Sequence, residues 1–257
     1  MKAFGIVERV DVPQDALDRQ TGKEVWKSEW KGAMTVAGLG TSMGSWIRAT
    51  PALDGKRLYV AGMPDLLVCL DPKTGSERWR ADFHARYGTL LPELGFVSSP
   101  LVVKDGVFVQ TADSFVKVDK KTGKTIWQCG GMSANIVATP VAGDGMVFAG
   151  SSYDTRIMMG IKLDGASGDL TGSEHVAWKT RQRTPYVPSP LLFKGGLYFL
   201  RHYQGILTRL DSRSGKETTG PFRLGGVTDI YASPVAAANR IYITDRQGAT
   251  LVLSGDA

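Results

Sequence analysis

The feature that most constrains the fold of this chain is a repeat of 40 to 50 residues. Its clearest marker is a Ser/Thr-Pro pair that occurs five times: Thr50-Pro51, Ser99-Pro100, Thr139-Pro140, Ser189-Pro190 and Ser233-Pro234. The intervals between the prolines are 49, 40, 50 and 44 residues. This period is typical of one four-stranded propeller blade. A chain of 257 residues can therefore form a single all-β domain of several blades.

Each Ser/Thr-Pro pair is followed by the pattern of a tight hairpin. A short apolar stretch leads to a turn signal, and a β-rich strand follows. The signals are Asp54-Gly55, Asp105-Gly106, Asp144-Gly145, Gly195-Gly196 and a looser Asn239. Because Asp-Gly and Gly-Gly accept the positive φ angles of type I′ turns, these pairs predict two-residue turns. A third strand is predicted next, for example over 66–70, 115–118 and 206–210.

A sharper motif ends the third strand. Asp-x-x-Thr-Gly is followed by Trp eight positions after the Asp in three copies, which contain Asp18, Gly22 and Trp26, then Asp71, Gly75 and Trp79, then Asp119, Gly123 and Trp127. The carboxylate can accept hydrogen bonds from the N–H groups of the turn, and Gly can take the left-handed conformation. A fourth copy has an insertion before Trp178, and a fifth, at Asp211, has no Trp.

The motif resembles the repeat of PQQ-like (quinoprotein-like) propellers, which is close to Asp-x-x-Thr-Gly-Lys-x-x-Trp. The resemblance covers residues 15 to about 257. It implies an all-β fold, a β-propeller of four-stranded antiparallel blades like that of quinoprotein alcohol dehydrogenases. In that family the Trp packs between blades, which implies a docking role for Trp26, Trp79, Trp127 and Trp178. The accompanying Asp and Gly residues of the motif are expected to shape the docking turn.

Four complete blades are predicted, at about 50–79, 99–127, 139–178 and 189–220. Partial blades are predicted at 15–30 and 233–257, and residues 1–14 are expected to be irregular. All of 15–257 is then one propeller domain. The two partial blades could combine to close a ring of five. The interpretation we favour from the sequence is an incomplete propeller, an arc of a larger ring.

The loops between blades are the predicted binding surface. Turns between the first and second and the third and fourth strands are short, and they share one face. The other loops vary in length, and variable loops on a rigid scaffold commonly bind ligands. We expect a basic, aromatic-lined mouth that receives an anionic group or an extended peptide, formed by Trp46, Arg48, Arg86, Tyr87, Arg183, Tyr186, Arg201 and His202. The alternative is that the aromatic residues only pack against the inner strands.

The sequence shows no set of residues that predicts catalysis. The three histidines lack metal-ligand spacing, and Cys69 and Cys129 are far apart. The quinoprotein dehydrogenases that share this repeat commonly place an adjacent Cys-Cys pair against the quinone, and that pair is absent here. No catalytic, cofactor or metal residue is therefore predicted. PQQ with Ca²⁺ is expected only if the chain is a fragment of such a dehydrogenase.

Charge and hydropathy limit the classes of partner. The net charge of +6 is spread along the chain, so it favours anionic partners without predicting a nucleic-acid arm. No apolar stretch approaches the roughly 20 residues of a membrane span. The N-terminal apolar stretch is interrupted by Glu8 and Arg9, so no signal peptide is predicted.

The functional expectation is a non-enzymatic binding or scaffold propeller that mediates protein–protein interaction. The repeats are similar to those of BamB-type outer-membrane-protein assembly factors, which implies a role in envelope assembly and a periplasmic or secreted location. The alternative from a different class is a fragment of a PQQ-dependent dehydrogenase.

Overall fold

The computed structural model of the chain describes residues 10–32, 49–62, 65–88, 97–182, 184–201 and 205–256. These residues form six sheets that follow one another along the chain, here named A to F. Sheets B to E each contain a four-stranded antiparallel meander. The prediction of an all-β propeller with four complete and two partial blades is confirmed.

The strands are as follows. Sheet A contains β1 (Val10–Leu17) and β2 (Glu24–Gly32). Sheet B contains β3 (Ala52–Leu53), β4 (Leu58–Gly62), β5 (Leu66–Leu70) and β6 (Glu77–Asp82). A short helix, α1 (Phe83–Tyr87), follows it. Sheet C contains β7 (Leu101–Val103), β8 (Gly106–Gln110), β9 (Ser114–Val118) and β10 (Thr125–Gly130).

Sheet D contains β11 (Val141–Gly143), β12 (Met146–Ser151), β13 (Ile157–Lys162) and β15 (Val176–Thr180). Between its last two strands, β14 (Gly168–Asp169) adds to the outer edge of sheet C. Sheet E contains β16 (Leu191–Phe193), β17 (Gly196–Arg201), β18 (Ile206–Asp211) and β19 (Glu217–Arg223). Sheet F contains β20 (Val235–Ala237), β21 (Arg240–Thr244) and β22 (Thr250–Ser254).

The hydrophobic core lies between consecutive sheets. In each of sheets B to E the second strand carries an aromatic residue that is almost completely buried: Tyr59, Phe108, Phe148 and Tyr198. Each hydrophobic cluster combines residues from two neighbouring sheets, as where Tyr59 and Leu67 of sheet B pack with Val107 and Val116 of sheet C. Burial of apolar surface between blades is therefore what holds the array together.

Three of the predicted hairpin turns differ from the expectation. The turn after β16 is Lys194-Gly195, with φ angles of 49° and 70°, and Gly196 already belongs to β17. The turn after β7 is likewise one residue earlier than predicted, at 104–105, and the turn after β3 spans four residues, 54–57. The register is set by the buried residues of the second strand, so the glycine pair alone did not locate the turn.

Sheet A begins earlier than the predicted partial blade. Strand β1 starts at Val10, inside the segment 1–14 that was expected to be irregular. Its whole length pairs with β2, from Val10 opposite Gly32 to Leu17 opposite Glu24. The ladder includes Pro13, which an edge strand tolerates because one side of its backbone needs no partner. Sheet A therefore supplies a third and a fourth strand.

The insertion before Trp178 has a defined place. Strand β14 pairs in parallel with β10, and the N–H of Leu170 donates to the carbonyl of Gln128 over 2.8 Å. The N–H of Gly130 donates to Thr171 Oγ1 over 2.9 Å. A segment of sheet D thus covers the outer edge of sheet C, which protects backbone groups that an edge strand would expose.

Candidate functional site

The Asp-x-x-Thr-Gly turns have one geometry in four copies. In the copy at Asp119, Oδ1 accepts hydrogen bonds from the N–H groups of Lys121 and Thr122, over 2.9 and 2.8 Å, and from the Thr122 hydroxyl. These bonds lower the pKa of Asp119, the side-chain bond from Thr122 most of all. The glycine that ends the turn has φ near +70° in every copy: Gly22, Gly75, Gly123 and Gly215. The turn is therefore a rigid platform on the rim of each sheet.

A tryptophan from the preceding sheet lies on three of these platforms. Trp79 packs on Gly123 so closely that a Cβ there would lie 2.5 Å from the indole ring, and its Nε1–H donates to the carbonyl of Lys120 over 3.1 Å. Trp26 lies on Gly75 and bonds to Pro72 in the same way, as Trp178 does with Gly215 and Ser212. Each indole thus joins one sheet to the turn of the next.

Trp127 is the exception among the four tryptophans of the motif. Its side chain is completely buried and packs against Phe108 and Phe115 of its own sheet. Its Nε1–H has no hydrogen-bond partner among the described residues. The turn of the next sheet is displaced here, because the chain after Leu163 continues into the insertion that crosses to sheet C. Leu170 of the insertion joins the hydrophobic cluster around Trp127.

The Ser/Thr-Pro pairs also join neighbouring sheets, a role that the sequence analysis did not assign. The N–H of Thr50 donates to the Ser99 hydroxyl over 2.8 Å. The N–H of Thr139 donates to Ser189 Oγ, and that of Ser189 to Ser233 Oγ, each over 2.9 Å. The regular spacing of a hydroxyl residue before each Pro was the signal that could have indicated this inner chain of bonds.

The loops between second and third strands and the connections between sheets form what we call the loop face. Its clearest concavity within the described ranges is a cleft of about 140 Å³ at sheet D. The cleft is lined by Asn135 and Val137 from the connection before sheet D, by Tyr186 and Val187 from the connection after it, and by the β12–β13 loop at residues 151–153. Tyr153, in that loop, is 47% exposed.

Hydrogen bonds fix the walls of this cleft. The Ser152 hydroxyl donates to the carbonyl of Pro185 over 2.5 Å and also bonds to the Thr184 hydroxyl. On the other wall, the N–H of Asp154 donates to Ser133 Oγ over 3.1 Å. The cleft is thus a preformed, mostly neutral concavity whose rim carries two tyrosines. Aromatic residues with a polar tip are frequent in protein-binding surfaces.

The structure brings one of the eight predicted binding residues, Tyr186, to this cleft. Arg201 is exposed at the end of β17, in a different sheet. The other predicted residues that bear on this face lie outside the described residues: Trp46, Arg48, Arg183 and His202. Asn135 and Tyr153 were not predicted. The loop signal Ser-Tyr-Asp between two apolar strands could have indicated Tyr153.

Arg86 and Tyr87 lie in a contact between sheets. The Arg86 guanidinium donates to the carbonyl of Gly123 over 2.8 Å, and the Tyr87 hydroxyl bonds to Thr125 Oγ1 over 2.7 Å. Helix α1 places them there because its buried Phe83 packs between sheets B and C. Asp82, which accepts from the N–H of Ala85, and Gly88, with φ of 64°, are the cap signals that predict such a helix.

The remaining candidates for chemistry are buried or dispersed. Cys69 and Cys129 are free thiols, and burial raises the pKa of each to about 11, so both are protonated at neutral pH. Within the described ranges, no three His, Cys, Asp or Glu side chains lie close enough together to hold a metal ion. The helix in the described part of the chain is too short to cross a membrane.

Comparisons with known proteins agree with this architecture. A family model described as outer membrane protein assembly factor BamB matches residues 15–249. The solved structure of BamB from Moraxella catarrhalis is similar with a TM-score of 0.66 at 16% identity, over 94% of this chain and 67% of that one. Quinohemoprotein alcohol dehydrogenase from Comamonas testosteroni is similar with a TM-score of 0.51 at 14% identity, over 81% of this chain and 43% of that one.

No curated protein sequence matches the chain at a significant level. At these low identities the two solved structures show the fold alone. The family model, by contrast, spans the motif-bearing sheets from the turn at Asp18 to the last strands of sheet F. The resemblance drawn from the Asp-x-x-Thr-Gly repeat is thereby confirmed. The chain belongs to the BamB family of PQQ-like repeat propellers.

Proposed function

We propose that this protein is a non-enzymatic binding propeller that holds protein segments on its loop face and acts in the assembly of envelope or outer-membrane proteins. The observation that carries the proposal is the preformed cleft at sheet D, with Tyr153 and Tyr186 on its rim. The family match supports the biological setting, because the matching model is that of an outer-membrane-protein assembly factor. A periplasmic location is part of the same proposal.

The division of labour in the repeat also supports a binding role for the loop face. The motif residues on the opposite rim are occupied by contacts between sheets, as where Trp178 bonds to Ser212 and packs on Gly215. The loop face carries the variable segments. A rigid scaffold with variable loops is suited to recognition.

The test uses a fluorescent peptide copied from a strand of an outer-membrane barrel protein, with fluorescence anisotropy as the readout. Replacing Tyr153 and Tyr186 together by Ala is expected to weaken binding about tenfold, since aromatic anchors carry a large share of interface energy. Val25→Ala is the matched control, because Val25 is 58% exposed but lies in sheet A. Equal affinity of the tyrosine variant and the control would contradict the proposal.

The predicted preference for anionic partners has its own test. An acidic version of the peptide is expected to bind more tightly than a neutral one at low salt, and the difference should decrease in Arg48→Ala, Arg183→Ala and Arg201→Ala together. Unchanged binding in that triple variant would remove the arginines from the proposed surface. The peptide affinity of the tyrosine variant then shows whether the aromatic part of the proposal survives.

The alternative, a fragment of a PQQ-dependent dehydrogenase, predicts a different result. Incubation with PQQ and Ca²⁺ would then give tight binding, measured by the cofactor's absorbance, together with reduction of an electron-accepting dye. We expect neither, and turnover in this assay would replace the binding proposal. The shared fold does not favour this alternative, because function resides in the site rather than in the fold.

A further inference from the structure

Between sheets E and F lies an open apolar cavity of about 350 Å³, remote from the loop-face cleft at sheet D. Its walls include Tyr198 and Leu207 from sheet E, Phe222 at the end of β19, and Leu251 and Leu253 from β22. The other interfaces between complete sheets are filled at the corresponding place. The strand registers show what is different here.

Thr219 occupies the position that an indole occupies in the neighbouring sheets. It pairs with Arg209 as Trp178 pairs with Gly160 and as Trp79 pairs with Cys69. Arg209 in turn lies opposite Tyr198, as Gly160 lies opposite Phe148. Thr219 lines the cavity and is exposed. The cavity is therefore the docking place of the missing indole.

The polar groups around the cavity fit an indole. The Tyr198 hydroxyl is buried and has no hydrogen-bond partner among the described residues, and its residue is only 3% exposed. A buried hydroxyl without a partner is costly, so a ligand that bonds to it is favoured. The Arg209 guanidinium lies 5.4 Å from the centre of the Tyr198 ring, where it can also face an aromatic ligand.

Strand β22 adds a second recognition element beside the cavity. Within the described residues it pairs with β21 alone, so it is the edge of a three-stranded sheet. Its Val252 is 48% exposed, whereas Cys69, at the matching position of sheet B, is completely buried. An unpaired strand edge can accept an extended segment through backbone hydrogen bonds.

We propose that this cavity binds the tryptophan side chain of a partner protein, carried on an extended segment that pairs along β22. The indole would fill the place that Trp178 fills one interface earlier, with its N–H donating to the Tyr198 oxygen. This site is independent of the loop-face function proposed above, so either proposal can fail without the other.

The test follows binding of two probes by backbone amide NMR shifts in the full chain. N-acetyl-tryptophanamide is expected to give saturable shifts at Leu251, Leu253 and Gly225, whereas N-acetyl-leucinamide gives much weaker ones. A five-residue peptide with a central Trp should bind at least tenfold more tightly than the single amino-acid probe. Methylation of its backbone nitrogens should remove that gain, because the strand pairing is lost.

Two variants make the test specific. Thr219→Trp should fill the cavity from within and abolish the shifts, and Tyr198→Phe should weaken the indole probe about tenfold by removing its hydrogen-bond partner. If Thr219→Trp does not fold, Tyr198→Phe decides the outcome. Absence of saturable shifts in the parent chain, or equal binding in Tyr198→Phe, would overturn the proposal. A self-associated chain that Thr219→Trp dissociates in sedimentation experiments would also overturn it, because the occupant would then be a second copy.

Discussion

The interface between sheets D and E and the interface between sheets E and F are built from the same strands but are filled differently. In the first, Trp178 packs against Phe148 and Gly215 and bonds to the carbonyl of Ser212. In the second, Thr219 stands at the matching position and a cavity of about 350 Å³ remains. One substitution in a repeat thus converts a packed joint into an open pocket. The comparison separates residues that hold the blades from positions that are available for binding.

The largest expected effect is on the filled interface. Trp178→Ala should destabilise the protein by about 3–5 kcal/mol, because it removes a 9% exposed ring and leaves a cavity. The free energy of unfolding in urea measures this. Thr219→Ala, the same strand position one sheet later, should change it by less than about 0.5 kcal/mol. Similar losses in both variants would show that the two interfaces do not differ as described.

A smaller effect is expected at the platform glycines. Gly75→Ala places a Cβ against the ring of Trp26, whereas Gly22→Ala meets nothing within 4 Å, and the φ angles are 70° and 68°. Both variants therefore carry the same left-handed strain, and the difference isolates the close approach of the indole. We expect Gly75→Ala to cost about 1–3 kcal/mol more than Gly22→Ala in thermal or urea unfolding. Equal costs would show that the ring moves aside freely.

The turn aspartates should make stability depend on pH at the acid end. The pKa of Asp119 is lowered by hydrogen bonds that exist only in the folded chain, chiefly from Thr122. The group's contribution is therefore complete above the unfolded value of about 3.9 and is lost as the pH falls through the lower folded value. Asp119→Asn should flatten urea midpoints between pH 4 and 2, by under about 1 kcal/mol because the site is largely exposed.

Ser254 provides the control for that pH effect. It pairs with Arg240 as Asp211 pairs with Gly196, so sheet F has a serine where sheet E has the turn carboxylate. Ser254→Ala is expected to leave the slope of stability against pH unchanged. A change in slope as large as that of Asp119→Asn would show that the acid sensitivity does not arise from the turns.

The smallest effect concerns the two thiols. Because burial raises the pKa of Cys69 and Cys129 to about 11, neither should react with a thiol reagent at pH 7 until the chain unfolds. Labelling rates in increasing urea should follow the unfolding transition. If Cys129 alone labels early, the interface between sheets C and D opens before the rest, despite the β14 segment on its edge.

Much of the architecture could be predicted from local signals. The Ser/Thr-Pro pairs located the first strands of sheets B to F, and Asp-x-x-Thr-Gly located the turns with left-handed glycines. Both signals are local because a turn is fixed by the few residues that form it. The candidate site was harder to predict. Tyr186 was identified, but Arg86 and Tyr87 were assigned to the loop mouth, since the position of α1 depends on Phe83 packing between two sheets.

By itself, the sequence determined the repeat, the blade order and the turn chemistry, because these depend on residue types at fixed short spacings. Only the tertiary structure decided which surfaces remain open. The crossing of β14 to sheet C, the cleft around Tyr186 and the pocket at Thr219 each arise where residues distant in the chain meet. Whether such a meeting fills or leaves space depends on the summed volumes of facing side chains, which no single stretch of sequence specifies.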